Sequence, residues 1–99
     1  MKELIACVRI WATARNLIEG ATPKDQLTKT MEELGELAGG IARGRIDLIE
    51  DGIGDVTVTL IILAEQHKLD FEECLAKAYE VIKDRKGRMI DGIFIKEND

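Results

Sequence analysis

Residues 32–36 read Glu-Glu-Leu-Gly-Glu, and a second acidic row follows, with Asp47, Asp51 and Asp55 each four residues from the next and Glu50 beside them. On a helix, Glu33 and Glu36 (three apart) and Glu32 and Glu36 (four apart) share nearly one face, as do Asp51 and Asp55. Like charges at that spacing repel, so each row is mildly destabilising unless a cation compensates it. Oxygen donors with no histidine or cysteine among them suit a hard cation, Mg²⁺ or Mn²⁺. The ordinary explanation of either row alone is a solvated surface. Leu34 and Leu37 adjoin the first row and Ile53 and Val56 the second, which places the acids at the edge of the core instead.

Those rows must be positioned by the elements that carry them. With Gly44 as the reversal of a helical hairpin, Glu36 lies eight residues before it and Asp51 seven after; Glu33 and Asp55 each lie eleven away. At about 1.5 Å rise per residue, the first pair sits roughly 11–12 Å from the turn and the second roughly 16 Å from it. An antiparallel hairpin therefore brings four carboxylates to matched heights on facing helices. Lys29 stands one turn before Glu33, and Lys83, Arg85, Lys86 and Arg88 cluster further along. Such a set, beside a metal, suits a polyphosphate.

Other chemistries are excluded. A ferritin-like di-iron site needs a Glu-x-x-His pair on each of two helices; the only histidine, His67, has Glu65 two residues before it and reads as a helix-end residue. Neither Cys7 nor Cys74 has a histidine partner or a CxxC neighbour, so both read as buried free thiols. EF-hand loop spacing is absent. A net charge of -5 opposes a protein that coats a nucleic-acid polymer. The first stretch carries Glu3 and Arg9 within its apolar run, unlike a signal peptide, and the apolar run Leu60 to Ala64 is too short for a bilayer. The expectation is a soluble, cytoplasmic protein with no membrane partner.

The 99 residues bound the chain to a single helical domain, 1–99. A first helix is predicted over about 2–19, with Gly20 as its stop. Thr22-Pro23-Lys24-Asp25 reads as N-cap, first-position proline and first-turn carboxylate of a second helix that stops near Gly44. Its apolar face is Leu27, Met31, Leu34, Leu37, Ala38 and Ile41, and Gly39-Gly40 lets a neighbouring backbone come close. The third segment, 46–67, alternates β-branched residues over Val56–Leu60, which makes a strand the competitor, but its length favours a helix. Asp70 caps a fourth helix with the stripe Phe71, Cys74, Leu75, Ala78 and Ile82, ended by Gly87. The remaining tail, with Ile93-Phe94-Ile95, shows no clear period and reads as an arm packed on a neighbour. The fold class is all-α, a four-helix bundle. The third helix is apolar nearly all round from Ile53 to Ala64, which points to a homo-oligomer, dimer or tetramer.

Lys29-Thr-Met-Glu32-Glu33-Leu-Gly-Glu36-Leu resembles the EExxE motif of the MazG-like all-α nucleoside triphosphate pyrophosphohydrolases, and Asp51-Gly-Ile-Gly-Asp55-Val resembles their second motif. The basic ending Lys83 to Arg88, with Gly92-Ile-Phe-Ile-Lys96, is similar to the compact, single-domain, often phage-encoded branch. One departure stands out: the family's second motif is usually Glu-x-x-Asp, and here the position three before Asp55 is Gly52, with Asp51 one residue earlier. The resemblance implies Mg²⁺ (or Mn²⁺) held by Glu33, Glu36, Asp51 and Asp55, with Glu32 supporting or orienting water. It implies phosphate contacts from Lys29, Lys83, Lys86 and Arg88, and a base held near an aromatic, with Trp11 and Tyr79 the candidates. The implied reaction is hydrolysis of a nucleoside or deoxynucleoside triphosphate to monophosphate and pyrophosphate, with Glu32 or Glu33 taking a proton from the attacking water. The alternative is a non-enzymatic acidic helical module that works by binding a partner.

Overall fold

The computed structural model describes residues 1–97 and contains α1 (Lys2–Ala14), α2 (Pro23–Arg43), α3 (Ile46–Gln66), α4 (Phe71–Ile82), β1 (Gly87–Ile90) and β2 (Ile93–Lys96). The all-α class holds, with a small hairpin appended. Local chemistry sets most boundaries. Thr22 Oγ1 accepts from the Asp25 N–H at 3.1 Å, and the Asp25 carboxylate accepts from the Thr22 N–H at 3.2 Å, a reciprocal cap with Pro23 behind it. Gly44 closes α2 in the left-handed region, φ 66°. Asp70 caps α4 by accepting from the Glu72 N–H at 2.8 Å. His67 is the C-cap of α3.

The strand alternative for 56–60 is overturned: α3 is continuous, and Thr57 Oγ1 donates to the Ile53 carbonyl and Thr59 Oγ1 to that of Val56, each at 2.7 Å. Helix lengths needed two corrections. α1 ends at Ala14 rather than near 19, giving way to turns in which Asn16 takes φ 57°. α4 ends at Ile82, well before Gly87.

α2 and α3 form an antiparallel pair packed at backbone distance. A Cβ placed on Gly40 would stand 2.9 Å from Leu48 Cβ, and one on Gly52 would stand 2.9 Å from Leu37 Cβ. Small residues make this approach possible, as Gly39-Gly40 foretold. Gln26 Nε2 donates across the seam to the Thr59 carbonyl at 3.2 Å, so the buried polar pair is satisfied. The seam is thus Gln26, Thr30 and Gly40 against Gly52, Thr59 and Ile62. Of the apolar stripe expected to face the core, Leu37 does, half-buried against Gly52, whereas Leu27, Met31, Leu34 and Ile41 are exposed. The reason is the glycines, which turn the close-packing edge of α2, not its widest apolar edge, toward α3.

α1 lies on another side of α3, with Ile5 and Val8 meeting Gly54, Val58 and Ile61 around an apolar groove of about 280 Å³. Arg9 bridges outward, 3.8 Å from Glu65 and 3.9 Å from Asp70. Gln66 Nε2 donates to the Ala21 carbonyl at 3.2 Å and fastens the α1–α2 connection to the end of α3.

The last third of the chain is barely covered. In α4 only Phe71 and Glu72 are half-buried. β1 and β2 pair antiparallel, Arg88 opposite Ile95 and Met89 opposite Phe94, about an Asp91-Gly92 turn with φ 49° and 81°. Asp-Gly with both residues at positive φ is the turn that matches strand twist, and it is the signal the sequence reading passed over in this tail. Cys7 and Cys74 are free but exposed, against expectation, since each lies on a helix side that nothing covers. The radius of gyration, 16.1 Å, exceeds the about 13 Å usual at this length, in keeping with a projecting arm.

Candidate active site

The acids of α2 and α3 are placed by the seam. Leu37 over Gly52 and Gly40 over Leu48 set the register, which puts Glu33 level with Asp55 and Glu36 within two residues of the level of Asp51. At about 100° per residue, Glu33, Glu36 and Glu32 fall progressively to one side of the Leu37–Gly40 line. On the antiparallel partner, Asp55 and Asp51 fall to that same side of Gly52.

Side chains then differ in what they touch. The Glu33 side chain is 13% exposed and its Oε1 lies 3.3 Å from Lys29 Nζ. That contact with Glu33 holds the Lys29 ammonium above its ordinary value, helped by the charges of Glu32, Glu33 and Glu36. Lys29 is therefore the cation this acidic row already shares. Glu32 and Glu36 line an open groove of about 490 Å³ with Gly35, Gly39, Arg43 and Leu48. Asp51 and Asp55 are exposed on α3. Among the described residues, no three carboxylate, histidine or cysteine groups are gathered closely enough to hold a metal. The helices bring the acids to one side of the seam; the side chains as they stand do not converge.

The other candidates lie apart from the groove lining. Trp11 is 45% exposed on α1, not a core residue, and the Arg15 guanidinium stacks 4.7 Å above its ring. Tyr79 is exposed on α4. Lys83 pairs with Glu80 at 2.9 Å. Lys86 and Arg88 are exposed at the start of the hairpin. Arg43 is the groove residue that sequence reasoning missed. The signal was present, since Glu32, Glu36, Gly39 and Arg43 recur at four, three and four residues along one helix face.

The departure at Gly52 has a structural cause. That position is the contact point with Leu37, so a glutamate there would meet the facing helix. Asp51, one residue earlier, stands clear of the seam.

A paired helical hairpin with a one-sided carboxylate row defines the class by fold alone, an all-α protein built on the α2–α3 pair. The sequence model of the MazG nucleotide pyrophosphohydrolase domain matches residues 21–89, and the chain belongs to that family. It is also 46% identical over 70 residues to an uncharacterized 18.2 kDa protein of the rep-hol intergenic region of Haemophilus phage HP1 (strain HP1c1). The match covers 71% of this chain and 43% of that relative, so the chain spans less than half of the relative's length. No solved structure matches. Among the described residues, no helix is long and apolar enough to cross a membrane.

Proposed function

We propose that this chain, as a single helical domain over 1–99, hydrolyses a nucleoside or deoxynucleoside triphosphate to the monophosphate and pyrophosphate, with Mg²⁺ as cofactor and Mn²⁺ as a substitute. What supports this reading is the family match over residues 21–89 together with the register of Gly40 against Leu48 and Gly52 against Leu37, from which helix periodicity puts Glu32, Glu33 and Glu36 on the same side of the α2–α3 seam as Asp51 and Asp55. The donor set fits the ion, since every ligand is an oxygen and a hard divalent cation prefers oxygen.

Glu33, Glu36, Asp51 and Asp55 would hold the metal, which when bound neutralises phosphate charge and polarises the reacting phosphorus. Glu32 or Glu33 takes a proton from the water that attacks the α-phosphorus, and the bond to the β-phosphate oxygen breaks to release pyrophosphate. Lys29 and Arg43 face phosphate oxygens from α2; Lys83, Lys86 and Arg88 supply further positive charge. Trp11 and Tyr79 are the aromatic faces proposed for the base. The working protein is a homo-oligomer, because Leu27, Met31, Leu34, Ile41, Ile46 and Ile53 remain exposed on α2 and α3.

The test is pyrophosphate release from a panel of NTPs and dNTPs with Mg²⁺. Glu36→Gln is expected to lower kcat at least about 100-fold, as loss of a charge-stabilising group does, with helicity retained. No release from any nucleotide, together with no calorimetric signal on Mg²⁺ titration, sinks the enzymatic reading in favour of a partner-binding acidic module.

A further inference from the structure

Resting on the pyrophosphohydrolase reading, we infer that Lys29 is a resident counter-ion of the acidic row: its ammonium holds Glu33 until a divalent cation displaces it, so that metal binding at Glu33 and release of Lys29 are one event.

Exposure divides the row. Glu32, Glu36, Asp51 and Asp55 are exposed, whereas the Glu33 side chain is 13% exposed. A carboxylate drawn that far out of water needs a compensating charge, and Lys29 Nζ supplies it 3.3 Å from Oε1. Among the described residues, no ion pair reaches Glu32, Glu36, Asp51 or Asp55. Lys29 answers to the row as a whole, since the charges of Glu32 and Glu36 act on its ammonium together with Glu33.

Helix geometry by itself does not account for the pair. A lysine four residues before a glutamate is the weaker order of an i,i+4 pair; the reverse order supports a helix better. What favours a lysine at position 29 is the concentration of negative charge one turn further along α2.

Displacement costs little. The Lys29 side chain is 54% exposed, so its ammonium can turn into water without uncovering a buried group. A pair between exposed groups is worth a factor of about two to five in an equilibrium. An ammonium is a single charge that donates hydrogen bonds, while Mg²⁺ brings twice the charge and takes several oxygens at once. A metal ion on either Glu33 oxygen would stand within a few ångströms of the ammonium, where two cations repel.

NMR of the lysine ε-methylene groups tests this, with the unsubstituted, nucleotide-free protein titrated with MgCl₂. Lys29→Met identifies the Lys29 signal by its loss, and Glu33→Gln supplies the spectrum of Lys29 without its partner. As Mg²⁺ saturates, the Lys29 signal is expected to move toward its position in Glu33→Gln, in step with the heat of Mg²⁺ binding. Calorimetry on Lys29→Met should show Mg²⁺ binding about two- to fivefold tighter. Lys24→Met removes the same charge from an exposed position in the first turn of α2 and should leave the affinity unchanged.

If Mg²⁺ saturates the protein while the Lys29 signal stays in place, or if Lys29→Met and Lys24→Met bind Mg²⁺ alike, the inference fails and the metal reading stands. Absence of Mg²⁺ binding overturns both. Mg²⁺ binding that frees Lys29, in a protein that releases no pyrophosphate, upholds the inference and removes the enzymatic reading alone.

Discussion

Thr22 and Asp25 show how much a pair of residues can fix. The Thr22 hydroxyl beside Asp25 holds that carboxyl below its ordinary 3.8, with the Thr22 backbone N–H adding to the effect. A depressed carboxylate stabilises the fold fully above its ordinary value, and that contribution drains away as pH falls through the depressed one. Thr22→Ala should cost about 1 kcal/mol in urea unfolding at pH 7. Asp25→Asn should destabilise at pH 7 and converge with the unsubstituted protein in strong acid, a comparison of two urea midpoints at each pH. Lys29 runs the other way: raised by Glu33, its favourable charge persists until pH climbs through its elevated value. These local pairings were legible in the sequence because each partner lies within four residues of the other, and helix geometry alone places them.

At the scale of elements, the α2–α3 pair depends on two glycines more than on its hydrophobic stripe. Gly40 against Leu48 and Gly52 against Leu37 bring the backbones together and set the register of the acids. Gly52→Glu would restore the acid that the family's second motif usually carries at this position, yet it inserts a side chain where Leu37 already stands. The expected outcome is a loss of roughly 1–3 kcal/mol from overpacking and lower, not higher, pyrophosphate release, measured by urea midpoint and steady-state assay. Close approach was legible in Gly39-Gly40. Which helix edge would turn inward was not, because apolar spacing marks a face without saying what will cover it.

For the whole molecule, the exposed apolar surface is the dominant fact. Four hydrophobic residues, Ile5, Ala12, Ile61 and Ile62, are buried among the described ones, while Leu34, Ile53 and the arm's own stripe stay in contact with water. A stable interface of ordinary size covers about 800 Å² on each partner, and the uncovered faces of α2, α3 and α4 are the surfaces available for it. Stability should therefore rise with protein concentration, the signature of mass action, seen as an increasing Tm across a dilution series. Leu34→Glu/Ile53→Glu should shift sedimentation toward monomer. A Tm independent of concentration, with monomer throughout, would count against assembly.

Taken alone, the residues determined four helices, the N-caps Thr22 and Asp70, the Gly44 reversal and two acidic rows at nearly equal distances from it, since all of these follow from spacing along one or two helices. Tertiary packing decided the rest: that glycines set against Leu37 and Leu48, not the whole leucine stripe, form the α2–α3 seam, that Arg43 joins Glu32 and Glu36, that Gly52 is unavailable to a ligand, and that α4 and the hairpin project uncovered. Those outcomes depend on which surfaces meet, and a linear pattern specifies a helix face but not its neighbour.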